Sequence, residues 1–266
     1  MRDYHVHTRF CRHAVGEAEE YARAALEQGL KEICFTPHIP LPAFRPGFFG
    51  DKLRMDLEEF EPYLKAVEKL KSRFPELSIL TGIEADYYEG LEGFLEDFLS
   101  HYPFDLVLMS VHFVREWPEN EWVFDFDRSG KPLSRIYREY FRALRRGILT
   151  GLFDGVAHLD LIKQPGQPVL RSNREEVEEI LELCLKQGMS VEINTSGFRK
   201  KIAEPYPCLD VILLMLERKV PVTLGSDAHA PSQVGLYFDE IKGRLNGCLE
   251  PLLVRYRERR MAPLRA

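Results

Sequence analysis

Two histidines two residues apart, His5 and His7 in the run Asp3-Tyr4-His5-Val6-His7-Thr8, are the first residues whose spacing could do chemistry. On an extended strand, positions i and i+2 share a face, as two imidazoles bound to one metal must. The same spacing returns far along the chain in Gly225-Ser226-Asp227-Ala228-His229, where it pairs a carboxylate with an imidazole. Between these motifs His13, His38, His112 and His158 each fall at or just beyond a short apolar run, and Glu84 closes another in Thr81-Gly82-Ile83-Glu84-Ala85-Asp86. A lone histidine in such a place is more often a hydrogen-bonded structural residue, and a lone carboxylate more often a helix cap or an ion-pair partner. Seven histidines with Glu84 and Asp227, spread over six strand ends, exceed what capping explains.

Nine candidate ligands are more than one four- or five-coordinate ion can use, so two or three divalent metal ions are expected, with Glu84 as a bridging carboxylate. Nitrogen and oxygen ligation rich in imidazole suits zinc, iron or manganese better than magnesium or calcium. Thiolates do not contribute: Cys11, Cys34, Cys184, Cys208 and Cys248 are odd in number, widely spaced and free of any C-x-x-C pair. They make no disulfide framework either, which points to a reducing, cytoplasmic location. His101, in Leu99-Ser100-His101-Tyr102-Pro103, precedes a strand rather than following one and receives no site role.

Such ligands meet only if the strands carrying them lie side by side and run the same way. Seven apolar runs read as strands: Asp3–His7, Glu32–Phe35, Ser78–Ile83, Leu106–Val111, Gly155–His158, Ser190–Asn194 and Val220–Leu224. Amphipathic stretches alternate with them. Glu17–Gln28 reads as a helix closed by Gly29. Asp56–Ser72 carries Leu57, Phe60, Leu64, Val67 and Leu70 at three- and four-residue steps behind a capping Asp56. Asn173–Lys186 presents Val177, Ile180, Leu181 and Leu185, with Gly188 at its end. This alternation implies parallel strands joined by helices, and the lack of a G-x-G-x-x-G turn or a P-loop favours an α/β barrel over an open nucleotide-binding sheet. In a TIM-like barrel all the strand ends named above open onto one mouth.

The 266 residues suit one barrel domain spanning 1–266, and 45% hydrophobic with 29% charged residues excludes a disordered or fibrous chain. A net charge of −6 argues against a nucleic-acid partner, and no apolar run is long enough to make a membrane span. The first ten residues, MRDYHVHTRF, lack the apolar stretch of a signal peptide. Oligomeric state has no readable signal.

The motif set resembles the polymerase-and-histidinol-phosphatase (PHP) family, in particular its histidinol-phosphate phosphatase branch. The matching segments are Asp3–Thr8, Cys11–Ala14, Phe35–His38, Gly82–Asp86, Ser110–Phe113, His158–Leu161, Asn194–Arg199 and Gly225–His229, running in family order from residue 3 to 229. The resemblance implies a distorted seven-stranded (β/α) barrel with a trinuclear metal centre that hydrolyses L-histidinol phosphate in histidine biosynthesis. It departs from the family pattern at Pro37, where members usually carry Asp, so His38 is expected to lack that carboxylate behind it.

By the same resemblance, His5, His7, Glu84 and Asp227 hold one ion, Glu84, His112 and His158 a second, and His13, His38 and His229 a third. A metal-bridged hydroxide is the expected nucleophile, because coordination lowers the pKa of water from about 15.7 to roughly 7. Glu84 and Asp227 are the expected catalytic carboxylates, and the proton for the leaving alkoxide comes from Asp227 or from metal-bound water. Arg199, Lys163 and Asn194 are expected to contact the substrate, Arg199 as a guanidinium fork on phosphate. Trp117, Trp122, Phe124, Asp125 and Asp127 offer an aromatic and acidic wall for an imidazole and an ammonium group. Three other readings stand beside this one. A related phosphoesterase would act on a nucleotide or another small phosphate ester. An amidohydrolase-type barrel would need a bridging lysine, which the third and fourth strand ends do not offer. A non-catalytic PHP module would be expected to have lost ligands.

Overall fold

The computed structural model describes residues 1–41, 52–114, 121–124, 130–163 and 168–264. Its strands in chain order are β1 (Arg2–Val6), β2 (Glu32–Phe35), β3 (Ser78–Asp86), β4 (Leu106–Ser110), the short pair β5 (Phe113–Val114) and β6 (Glu121–Trp122), then β7 (Gly155–Val156), β8 (Ser190–Asn194) and β9 (Val222–Gly225). Seven of them form one parallel sheet in the order β1-β2-β3-β4-β7-β8-β9. A parallel bridge between Val6 and Ala228, with His7 N donating to Ala228 O at 2.9 Å, brings the last strand back to the first. The result is the expected seven-stranded barrel, nearly closed.

Helices α1 (Ala18–Glu27), α2 (Leu57–Arg73), α3 (Glu92–His101), α4 (Leu133–Leu149), α5 (Val169–Gln187), α6 (Leu209–Glu217) and α7 (Phe238–Leu245) connect the strands. Capping boxes Glu17/Glu20 and Asp56/Glu59 start α1 and α2, as the sequence signals require. The predicted apolar faces hold for Phe60, Val67, Leu70, Val177, Ile180 and Leu181, which are buried, while Leu57 and Leu185 are exposed and Tyr63 and Cys184 take inner positions. Helix α5 also begins earlier than predicted, at Val169, because Asn173 leaves helical geometry and its Nδ2 donates to Val169 O, welding two helical pieces together.

Strand alternation divides the apolar side chains between two clusters. Ile79, Ile83 and Ala85 of β3 pack outward with the helices. Leu80 turns the other way and joins Tyr4, Cys34, Leu106, Leu108 and Ala157 in the lumen. The far end is sealed by a hairpin of β10 (Val254–Arg257) and β11 (Arg260–Pro263), which the sequence reading did not foresee. Its Tyr256 joins the lumen cluster, and the Tyr256 hydroxyl donates to Asp154 O at 2.7 Å. One end of the barrel is thereby closed, so polar side chains can gather only at the other.

Candidate metal centre

All seven implicated histidines, Glu84 and Asp227 come together at the open end, and His101 stays apart, exposed on α3. The strand bounds differ from expectation in a way that matters for the ligands. Strand β3 continues to Asp86, so Glu84 lies inside the strand with Asp86 on the same face. Strand β7 stops at Val156, which leaves His158 beyond it at φ 29, and Asp227 follows β9 at φ 52. Two residues of the cluster thus sit in left-handed backbone that non-glycine residues rarely adopt, a form of strain typical of functional sites.

Glu84 is the centre of the cluster. Its carboxylate lies 3.3 Å from His5 Nε2, 3.4 Å from His7 Nε2, 2.9 Å from His38 Nδ1, 3.6 Å from His112 Nε2 and 2.9 Å from His158 Nε2. Asp227 Oδ1 lies 3.2 Å from His7 Nε2 and 3.8 Å from His5 Nε2, whose rings bring their Nε2 atoms within 3.1 Å of each other. A tetrahedral ion with bonds of roughly 2.0–2.1 Å holds its donors about 3.3 Å apart, so His5, His7 and Glu84 are spaced as donors to one such ion, with Asp227 beside the two imidazoles. Glu84 with His112 and His158 forms a second compact donor set. The third differs in part from expectation: His38 and His229 group with His7, while His13 faces His229 at 2.8 Å between Nε2 atoms.

Hydrogen bonds behind the ligands decide which nitrogen is free. Glu192 Oε1 accepts from His5 Nδ1 at 2.8 Å and Asp86 Oδ1 from His112 Nδ1 at 2.6 Å, leaving both Nε2 lone pairs aimed inward. His229 Nδ1 donates to Asp227 O at 2.9 Å and His13 Nδ1 to Cys11 O, so two Nε2 lone pairs confront one another. Glu84 Oε2 and His38 Nδ1 are buried with no hydrogen bond although they are neighbours. Facing lone pairs and an unpartnered buried carboxylate oxygen need a cation between them. The donor chemistry of this cluster therefore fits several divalent ions.

Glu192 escaped the sequence reading, as did Asp86, Asp3, Cys11 and Lys200 as partners of the site. The i,i+2 rule applied to His5 and His7 would have found Glu192, two residues before Asn194 on β8, and Asp86, two after Glu84 on β3. Fully buried Glu192 also accepts from His158 N and from Asn194 Nδ2, both at 3.0 Å. Gly225 is required beside it, because a Cβ there would collide with Glu192 Oε1 and come 2.7 Å from His5 Cβ. Asp3 accepts from Ser226 N and Gly235 N at 2.9 Å, tying the first strand to the Asp227 loop. Cys11 Sγ is 3.2 Å from His7 Nδ1 and accepts from His38 N at 3.3 Å, so a thiol supports the His38 segment where Pro37 offers no carboxylate.

The three expected substrate contacts lie elsewhere. Arg199 Nη2 donates to Ser226 O and Asp227 O at 2.9 Å, Asn194 Oδ1 accepts from Ser196 N, and buried Lys163 donates to Pro205 O with Asp160 and Glu204 each 3.4 Å away. None of them lines the cavity over the histidine cluster. That cavity, about 410 Å³, is walled by His13, His38, Glu84, His112, His158, Asp227 and His229 together with Leu53, Trp122, Phe124, Leu161 and Lys200. Trp122 and Phe124 of the expected aromatic wall are present, and Trp117, Asp125 and Asp127 lie outside the described residues.

Charge follows from these contacts. Burial opposes ionisation of Glu84 and Asp227, yet the surrounding imidazoles hold both carboxyls well below their ordinary range. Burial also opposes a charge on His5, but Glu192, Glu84 and Asp227 outweigh it and hold this imidazole well above its usual value. His112 is raised in the same way, against its burial, by Asp86 and Glu84. Desolvation prevails elsewhere: it lowers His7 to about 3 and His13, His38 and His229 to about 4. Groups depressed from an unfolded value near 6.5 contribute stability above that pH and lose it as the pH falls toward 4, whereas His5 and His112 contribute it below 6.5. Four depressed imidazoles against two raised ones give a net acid sensitivity. Chelator-treated protein is expected to melt at a lower temperature at pH 5 than at pH 7.5, and an equal or higher melting temperature at pH 5 would refute this charge assignment.

Fold and site together define a (β/α) barrel built around a multinuclear metal centre, the architecture of a metal-dependent hydrolase. The chain belongs to the PHP domain family, whose sequence pattern matches residues 3–196. It is 35% identical over 262 residues to a Deinococcus radiodurans protein named probable histidinol-phosphatase, covering 98% of each chain. It is 31% identical over 263 residues to the histidinol-phosphatase of Bacillus subtilis, covering 90% of this chain and 97% of that one. The histidinol phosphate phosphatase of Lactococcus lactis, solved with zinc, L-histidinol and phosphate, shares the fold at a TM-score of 0.81, with 23% identity and 98% of each chain covered. Among the described residues no helix is long and apolar enough to cross a membrane.

Proposed function

We propose that this protein hydrolyses L-histidinol phosphate to L-histidinol and phosphate, the step that supplies histidinol to histidine biosynthesis. The observation that carries the reading is the gathering of seven imidazoles with Glu84 and Asp227 beneath a cavity of about 410 Å³, in a chain similar over nearly its full length to histidinol-phosphatases. That gathering speaks against a non-catalytic module. All five cysteines are free thiols, in keeping with a cytoplasmic setting.

When bound, the ions supply a water acidic enough to ionise near neutral pH and positive charge for the phosphate oxygens. The polypeptide does the rest. Glu192 and Asp86 fix the tautomers of His5 and His112, and Glu84 keeps five imidazoles on one point. Leu53, Trp122, Phe124 and Leu161 shield one side of the cavity from solvent and suit an imidazole ring. Asp227 is held ionised, so it does not serve as the initial acid for the leaving alkoxide.

A phosphate-release assay tests the substrate. Turnover of histidinol phosphate is expected to exceed that of nucleoside monophosphates by at least about a hundredfold in kcat/KM, because a site shaped for one set of polar groups leaves buried partners unpaired with another. Comparable turnover of nucleotides would end the specific claim and leave a general PHP phosphoesterase.

A further inference from the structure

Arg199 and Lys200 are adjacent cations that the fold sends to opposite tasks. Arg199 closes the short helical turn Thr195–Arg199 and directs Nη2 to the carbonyls of Ser226 and Asp227, away from the cavity wall. Lys200 follows it, its amide anchored on Gly197 O at 3.0 Å, and its side chain lines the cavity beside Glu84 and Asp227. Its Nζ stands 5.2 Å from the centre of the Tyr206 ring and 5.7 Å from that of Phe124. Among the described residues no carboxylate pairs with this ammonium, and it is the single lysine or arginine in the cavity wall.

A phosphate monoester brings up to two negative charges to a mouth that already holds two ionised carboxylates, so an unpaired ammonium on the wall has an evident partner. We propose that Lys200 binds the phosphoryl group of the substrate, taking the part the sequence suggested for Arg199. Two further features favour this over a merely solvated lysine. The flanking aromatic faces hold a cation in place without neutralising it. Solvent reaches the residue from the mouth, yet the cavity walls desolvate the ammonium enough to lower its pKa, even against the pull of Asp227, so a bound anion is screened less than at an open surface.

The proposal rests on the reading that the substrate is a phosphate monoester, and its test uses inorganic phosphate so that the two can fail separately. Binding of phosphate to the metal-loaded protein is measured by calorimetry for wild type, Lys200→Met and Lys200→Arg, with metal content determined for each. Lys200→Met is expected to weaken phosphate about tenfold, the low end for a charged hydrogen bond, with unchanged metal content, and Lys200→Arg to restore most of the loss. KM for the ester should rise in parallel while kcat changes less. Unchanged phosphate affinity in Lys200→Met, no measurable phosphate binding by wild type, or a fall in metal content that accompanies the weakening would each overturn the assignment. Normal phosphate dependence on Lys200 without turnover of histidinol phosphate would instead sink the substrate reading and leave the phosphate site standing.

Discussion

Glu84→Ala protein is expected to lose at least one of the two or three metal equivalents carried by wild type and at least about a hundredfold in phosphatase turnover. The reason is topological as well as electrostatic. Glu84 is 1% exposed and its two oxygens face five imidazoles drawn from β1 and the residue after it, the loop after β2, the loop after β4 and the turn after β7. Among the described residues no second carboxylate is placed to take over both donor sets, because Asp227 meets His5 and His7 from the β9 side and Asp86 groups with His38 and His112. Without the carboxylate the imidazoles lose the charge that holds them together, and protons compete better for the nitrogens that remain. Elemental analysis of protein purified without chelator, paired with a phosphate-release assay, gives the answer. Retention of every metal equivalent with turnover within a few-fold of wild type would remove Glu84 from the centre of the site.

The second large effect is expected from Glu192→Gln, a change that adds no volume and touches no substrate. Glu192 accepts three hydrogen bonds, from His5 Nδ1, His158 N and Asn194 Nδ2. An amide can keep the last two only by turning its oxygen toward them, which points its NH2 group at His5 Nδ1. That nitrogen must then be the unprotonated one, so the proton moves to Nε2 and blocks the position that faces Glu84 and Asp227. A loss of about 10- to 100-fold in metal affinity is expected, with turnover falling alongside and recovering partly at high metal concentration. Competition with a chelator of known affinity measures it. Should Glu192→Gln bind metal as wild type does, the tautomer of His5 is set by something other than this carboxylate.

These two residues mark where sequence reasoning reached and where it stopped. Apolar runs identified all seven barrel strands and three- to four-residue steps three of the helices between them, because burial on both faces of a parallel sheet leaves runs that composition alone reveals. The clustering of these side chains was legible for a related reason: imidazoles and carboxylates at strand ends have few bland explanations, and a barrel gathers strand ends at one mouth.

Direction was not legible. Arg199 and Lys200 are indistinguishable as neighbouring cations in a glycine-containing loop, and only the turn of Thr195–Arg199 sends one to the carbonyls of the Asp227 loop and the other to the cavity. Lys163 looked like a phosphate ligand until its partners Asp160, Glu204 and Pro205 O were seen to enclose it. The supporting set, Glu192 behind His5 and Asp86 behind His112, joins residues 187 and 26 positions apart. Local pattern records which face of an element a side chain shares, whereas the hydrogen-bond partner of a buried polar group is chosen by whatever distant segment packs against it, and that is a property of the closed barrel alone.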